Sequence, residues 1–188
     1  MSVSLSKGES VSLAKKDGSS LRSIHMGLGW DAAKSRFGRK NDIDLDASCL
    51  VFDANNNLID QVWFRQLTSK DASIRHTGDN RTGRGDGDDE SIVVDLEKIS
   101  PNAVTLAFVV NSFTGQDFSK IENATCRLVD LDSNTEVARY DLSGSGSHTA
   151  QVMAKVSRRT GSWTMTAIGQ ACSGKTFQDL LPATLPHL

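Results

Sequence analysis

The stretch Ile24-His25-Met26-Gly27-Leu28-Gly29-Trp30 alternates large hydrophobic residues with small or polar ones. Because side chains of an extended chain point to opposite faces in turn, this period of two predicts a β-strand with one buried face. Similar alternation or short apolar runs follow at residues 43–51, 62–64, 92–94, 104–110, 126–129, 137–140, 152–156 and 163–168. Turn residues separate these segments. The pattern predicts an all-β protein, a β-sandwich of two mostly antiparallel sheets with roughly nine to eleven short strands.

Two parts of the chain carry more local predictions. Residues 3–13 place apolar residues on both sides of Gly8, which predicts a short amino-terminal hairpin. Short helices are expected only near Ser69–Ile74 and Thr176–Leu181, since no long helical pattern is present.

Composition narrows the class of protein. The 188 residues suit a single domain spanning 1–188, and 38% hydrophobic with 23% charged residues is typical of a folded, soluble chain. A net charge of −2 argues against nucleic-acid binding by broad charge attraction. The sequence contains no apolar run long enough for a transmembrane segment, and its first residues lack the apolar stretch of a signal peptide. We therefore expect a cytoplasmic protein.

The first acidic segment is Asp42-Ile43-Asp44-Leu45-Asp46. On an extended backbone its three carboxylates point to one side, while Ile43 and Leu45 point to the core. Like charges on one face repel each other, so this arrangement favours a bound cation.

The second acidic segment, Gly78–Glu90, lies in a loop of about two dozen residues between strands ending near Gln66 and beginning near Ser91, a length typical of functional loops. It holds five carboxylates and four glycines in thirteen positions. Neither acidic segment contains His or Cys, and many oxygen donors with flexible backbone carbonyls favour Ca²⁺ over zinc, copper, iron or magnesium. Together the eight carboxylates are enough for two ions.

Two common ion and phosphate motifs do not fit. Counting from Asp42, a helix-loop-helix calcium motif would need glycine where Ala47 stands. No Gly-Lys-Ser/Thr follows the glycine-rich segment, so it is not a phosphate-binding loop. The site is expected to be of another type.

These residues resemble the TerD family of tellurite-resistance and general stress proteins. The resemblance covers nearly the whole chain in order. It is carried by Met1–Gly8, by Asp42–Ser48, by the glycine-rich run Gly78–Glu90 and by Ala167-Ile168-Gly169-Gln170.

The resemblance implies a cytoplasmic bacterial β-sandwich that binds two calcium ions through the acidic segments, with no established enzymatic activity. It also implies protein partners, such as other Ter-type stress proteins. The expected metal-binding residues are Asp42, Asp44, Asp46, Asp79, Asn80, Gly83, Asp86, Asp88, Asp89 and Glu90.

Three alternatives stay open at this stage. The same carboxylates are compatible with a metal-dependent phosphoesterase or hydrolase, although the sequence offers no base or phosphate-binding cation beyond His76, Arg81 and Arg84. The protein is also compatible with a purely structural role in a larger assembly, in which calcium is incidental. Finally, the acidic segments are compatible with a solvated surface that resists aggregation.

Overall fold

The computed structural model describes residues 2–15, 17–32, 44–78, 88–142 and 146–188. Most of the described chain is organised as β-strands. In chain order these are β1 (Val3–Ser4), β2 (Ser10–Ser12), β3 (Ser23–Ala32), β4 (Leu45–Phe52), β5 (Leu58–Val62), β6 (Ile74–His76), β7 (Glu90–Asp95), β8 (Thr105–Ser112), β9 (Ile121–Asp130), β10 (Thr135–Asp141), β11 (Ala150–Ser157) and β12 (Thr164–Cys172). A helix, α1 (Phe177–Thr184), follows, and short 3₁₀ turns lie at Phe118–Lys120 and Leu185–His187.

The strands form two six-stranded sheets. The first sheet has the order β1-β10-β9-β3-β7-β6, and the second has the order β2-β12-β11-β8-β4-β5. Within the described ranges each pairing is antiparallel except β1 with β10. The predicted all-β fold with two mostly antiparallel sheets is therefore confirmed.

The main core lies between the sheets. In β3 the alternating residues Ile24, Met26, Leu28 and Trp30 are all at most 4% exposed and belong to one hydrophobic cluster. The second sheet contributes Leu45 and its alternate neighbours in β4 to the same cluster. The period of two read from the sequence thus identifies the inward faces of these strands.

A second hydrophobic cluster lies on the outer face of the second sheet. There Leu50 and Phe52 of β4 belong to the same buried cluster as Phe177 and Leu180 of α1. The helix begins with a capping box, in which Thr176 and Asp179 satisfy each other's backbone N–H groups. The helix predicted near Thr176–Leu181 is confirmed, and it explains why every residue of β4 is buried.

The predicted amino-terminal hairpin is wrong. β1 joins the first sheet beside β10, whereas β2 joins the second sheet beside β12. Gly8, with φ of 85°, lies in the connection that crosses between the sheets. Alternating hydrophobicity predicts that a segment is extended, but it does not identify the strand with which it pairs.

The helix predicted near Ser69–Ile74 is also wrong. Asp71 Oδ1 accepts hydrogen bonds from the Ser73 backbone N–H and from the hydroxyls of Ser69 and Ser73, which fixes a turn. Ala72 lies in the left-handed region with φ of 58°, and the chain then enters β6. Short polar side chains that bond their own backbone favour turns over helices. The expected two-dozen-residue loop accordingly contains a strand.

No helix in the described part of the chain combines the length and apolar character needed to span a membrane.

Replacing Asp71 tests this turn. Desolvation alone would raise its pKa, but hydrogen bonds from Ser73, Ser69 and the backbone N–H of Ser100 lower it to about 2. We expect Asp71→Asn to lower the free energy of unfolding by about 1–2 kcal/mol at neutral pH, measured by urea denaturation. Since the pKa is lowered on folding, the contribution is complete above the ordinary value of 3.8 and disappears as the pH falls through about 2.

Asp132→Asn is the matched control, because Asp132 makes only an exposed ion pair with Lys15 at 3.2 Å. Such pairs contribute about 0–1 kcal/mol. Equal stability of the Asp71 and Asp132 variants would contradict this account of the turn.

Candidate functional site

Half of the ten residues predicted to bind metal belong to the described chain. Asp42, Asp79, Asn80, Gly83 and Asp86 lie outside the described residues. The described residues, called the acidic end below, are Asp44, Asp46, Asp88, Asp89 and Glu90.

The fold brings the two acidic segments to the same end of the sandwich. Asp44 directly precedes β4, and Glu90 is the first residue of β7. The Glu90 carboxylate reaches from the first sheet to the second, where its Oε2 accepts a hydrogen bond from the Ala47 backbone N–H at 2.7 Å. The start of β4 and the start of β7 are therefore joined directly.

Glu90 itself is held inside the sandwich. Its side chain and that of His76 are both fully buried, and Oε2 lies 3.2 Å from Nε2 of His76. Nδ1 of His76 accepts a hydrogen bond from the Gly78 backbone N–H at 3.1 Å, whereas Nε2 approaches Glu90 without hydrogen-bond geometry and has no hydrogen-bond partner among the described residues. Because a buried carboxylate is costly without partners, these contacts assign Glu90 a role in joining the sheets.

Asp46 points in the opposite direction, to the outer face of the second sheet. It is 5% exposed, and Oδ2 accepts a hydrogen bond from Nδ2 of Asn111, its neighbour on β8, at 3.3 Å. Leu45 and Ala47 beside it point into the core. The predicted alternation therefore holds for Asp46, and Asp44 precedes it by the same two-residue step.

An aromatic strip crosses β4 beside these two aspartates. We define it as Trp63, Phe64, Phe113 and Phe177. Trp63 and Phe64 directly follow β5, Phe113 directly follows β8, and β4 lies between these strands. Phe64 and Phe113 meet edge to face with centroids 5.7 Å apart, and Trp63 meets Phe177 in the same way at 5.0 Å. Sequence reasoning assigned Trp63 to core or interface but missed its position beside Asp46.

Asp88 lies on the outer face of the first sheet. It covers Gly27, where even a Cβ atom would come within 2.0 Å of Asp88 Oδ2. Oδ1 accepts a hydrogen bond from Arg127 Nε at 2.7 Å, and Oδ2 lies 3.2 Å from His25 Nε2. Burial opposes ionisation, but the His25 and Arg127 contacts outweigh it and lower the pKa of Asp88. Glycine at position 27 is required for this approach.

Asp89, the middle one of the three consecutive carboxylates Asp88, Asp89 and Glu90, takes yet another direction. Its Oδ2 accepts a hydrogen bond from the Trp30 backbone N–H at 3.0 Å, and its own N–H donates to the Leu28 carbonyl. Asp89 thus extends the pairing between β3 and β7.

The separation of Asp46 and Asp88 limits what a single ion can contact. They lie on the outer faces of different sheets, and packed sheets are about 10 Å apart, whereas each calcium–oxygen contact is about 2.3–2.6 Å. Asp46 and Asp88 therefore do not share an ion. Among the residues that the structure describes, no three His, Cys, Asp or Glu side chains come together in a group suited to a metal ion.

His25 and Ser91 also lie close together near Asp88. Nε2 of His25 is 2.6 Å from Ser91 Oγ and 3.2 Å from Asp88 Oδ2. A serine hydrolase triad needs the carboxylate on the other ring nitrogen, Nδ1. This cluster therefore lacks triad geometry.

Comparison with known proteins places the chain in a family. The TerD domain model matches residues 1–182. Tellurium resistance protein TerZ of Serratia marcescens is 47% identical over 184 residues, covering 95% of this chain and 94% of that protein. General stress protein 16U of Bacillus subtilis (strain 168) is 36% identical over 182 residues, covering 93% of each chain.

A solved structure shares the fold. The crystal structure of a homologue of telluride resistance protein (TerD) from Streptomyces coelicolor A3(2) superimposes with a TM-score of 0.71. It covers 86% of this chain and 95% of the other, at 18% identity, so this likeness concerns the fold alone. With a domain match that spans nearly all of its length, the chain belongs to the TerD family of tellurium resistance and general stress proteins.

Proposed function

We propose that this protein is a calcium-binding stress-response module of the tellurium-resistance type, which acts by binding rather than by catalysis. The observation that carries the proposal is the two-residue spacing of Asp44 and Asp46 where β4 begins. β7 begins at the same end of the sandwich. Two carboxylates two residues apart along an extended chain repel each other, and a cation or hydrogen-bond donors favour their ionised forms.

The donor chemistry of the acidic end fits calcium. Asp44 and Asp46 supply hard oxygen ligands, and the acidic segments that precede Asp44 and Asp88 in the sequence add Asp42, Asp79, Asn80, Gly83 and Asp86 as proposed ligands. Asp46 is 5% exposed, and this limited contact with water strengthens electrostatic attraction at its carboxylate. Calcium, when bound, would neutralise the charge of these carboxylates and cross-link the acidic segments that carry them.

The described contacts divide the roles of the remaining carboxylates. Asp88 is already compensated by Arg127 and His25, and Glu90 by contacts inside the sandwich. We assign Asp88 and Glu90 to positioning the chain, and Asp44 and Asp46 to the ion.

A hydrolase with paired metals is less well supported. Such enzymes hold two ions about 3.5–4 Å apart between shared carboxylates. Asp46 and Asp88 lie on the outer faces of different sheets and are too far apart to share such a pair of ions. The relatives described above also carry resistance and stress names rather than enzymatic ones.

We propose that the protein works in the cytoplasm, where the bound ions shape a surface for protein partners such as other Ter-type stress proteins. The aromatic strip adjoins the proposed ion site, and its Phe113 is 41% exposed. Ordering the start of β4 would thereby fix the position of these rings. Nucleic acid is not an expected partner, given the net charge of −2.

Calcium should bind in clear preference to magnesium. An irregular shell of carboxylates and carbonyls suits the larger ion, whereas magnesium requires near-octahedral geometry and gives up its water reluctantly. Calorimetric titration of chelator-stripped protein with each ion measures this preference. Equal affinity for the two ions would argue against the proposed site.

Amide substitutions should separate ligands from bystanders. We expect Asp44→Asn and Asp46→Asn each to weaken calcium binding about tenfold or more, which corresponds to about 1.4 kcal/mol. Glu97→Gln is the control, because Glu97 makes an exposed ion pair with Arg22 beyond the opposite end of β7. If all three variants titrate like the parent, the acidic end is solvated surface.

Removing calcium should lower the melting temperature. An ion that binds only the folded state adds about 2.7 kcal/mol at a hundred times its dissociation constant, which is roughly 5–10 °C for a chain of this size. Differential scanning calorimetry with excess calcium and with chelator measures the shift. An unchanged curve after verified metal removal would contradict calcium binding to the folded protein.

A further inference from the structure

Asn111 joins the acidic end to the end of the chain. Its side chain is 2% exposed on the outer face of the second sheet, opposite Asp46. The amide nitrogen Nδ2 donates to Asp46 Oδ2 at 3.3 Å and to the Lys175 backbone carbonyl at 2.8 Å. The two hydrogens of a single amide group therefore link a proposed calcium ligand to the segment 173–188, called the C-terminal segment below.

The C-terminal segment has other attachments that do not involve Asp46. The Gly174 backbone N–H donates to Thr149 Oγ1 at 3.2 Å. Phe177 and Leu180 pack into the outer hydrophobic cluster, and Phe177 also contacts Trp63 of the aromatic strip. Lys155 Nζ also donates a hydrogen bond to the His187 backbone carbonyl. The segment is thus held by packing and by hydrogen bonds to three side chains, those of Asn111, Thr149 and Lys155, and among the hydrogen bonds described here only those of Asn111 also reach Asp46.

We propose that Asn111 is a positioning residue that couples the state of Asp46 to the docking of the C-terminal segment. The proposal rests on calcium binding at Asp46, as proposed above. Both acceptors bind the same nitrogen of the Asn111 amide, so the orientation of that amide depends on the relative strength of the two hydrogen bonds. A hydrogen bond to an ionised carboxylate is stronger than one to a neutral carbonyl, so ionised Asp46 competes with the Lys175 carbonyl for this orientation.

A cation at Asp46 weakens this competition. It would draw electron density from the carboxylate, so the Asn111 contact with Asp46, already the longer of the two at 3.3 Å, would weaken further and the amide would keep its 2.8 Å bond to the Lys175 carbonyl. The C-terminal segment is then held more tightly against the second sheet, and with it Phe177 and the aromatic strip. By thermodynamic linkage the segment in turn influences the affinity of Asp46 for the ion. This coupling gives the calcium site a route to a surface that partners can contact.

Amide hydrogen exchange of the C-terminal segment tests the coupling. In the parent, excess calcium should slow exchange across residues 173–188 by about threefold or more relative to chelator. In Asn111→Ala the calcium response of this segment should be lost. Asn111→Ser serves as a second variant if the alanine form does not fold.

Thr149→Val is the matched control, because it removes a polar attachment that does not involve Asp46 while leaving Asn111 and Asp46 in place. It should speed exchange of the segment in both conditions and retain the calcium response. Loss of the calcium response in Thr149→Val as well as in Asn111→Ala would overturn the specific role of Asn111.

A metal-free comparison separates the coupling from the calcium proposal. In chelator, Asp46→Asn removes the same negative charge that calcium would neutralise. This substitution should therefore slow exchange of the C-terminal segment when Asn111 is present, but not when it is combined with Asn111→Ala.

If calorimetry detects calcium binding but segment 173–188 exchanges identically with and without calcium, the coupling is wrong and the proposed function stands. If calcium does not bind, the proposed function is wrong, and the Asp46→Asn comparison alone decides whether the coupling exists.

Discussion

The buried carboxylate of Glu90 is the contact on which the geometry of the acidic end depends. It belongs to the first sheet, yet it accepts a hydrogen bond from Ala47 in the second sheet and faces His76 within the core. A charged group in this position requires partners on both sides, because an unpaired charge between two sheets would be strongly destabilising. The two sheets are consequently fixed in one relative position where β4 and β7 begin.

This constraint also explains why neighbouring carboxylates have different roles. With Glu90 pointing inward, strand geometry turns Ser91 outward toward His25, and Asp88 folds over Gly27 on the same outer face. On the other sheet, Asp46 faces outward toward Asn111. Acidic residues of the two segments that meet at this end are therefore divided between two surfaces and the core. An ion bound near Asp46, as proposed above, would act on the face that carries α1, not on the face that carries Asp88.

Local patterns in the sequence predicted the features that depend on local geometry. The alternation through Ile24 and Leu28 correctly identified a strand and its buried face, and the alternation of Leu45 with Asp46 correctly predicted which face of β4 points outward. Contacts between distant residues were not accessible in this way. Asp88 and Arg127 are 39 positions apart, and Asp46 and Asn111 are 65 apart. The local sequence around Asp88 does not specify Arg127 as its partner, and the local sequence around Asp46 does not specify Asn111. The same limit explains why β1 and β2 were wrongly assigned to one hairpin.

The sheet edges have a consequence for association with other proteins. The edge strands of the described sheets are β1 with two residues, β2 and β6 with three each, and β5 with five. A backbone edge of this length offers few unpaired N–H and C=O groups to an incoming strand, which disfavours growth of the sheet from chain to chain. Recognition of another protein then depends on side chains and loops, whose chemistry can distinguish one binding partner from another, whereas backbone pairing is largely indifferent to sequence.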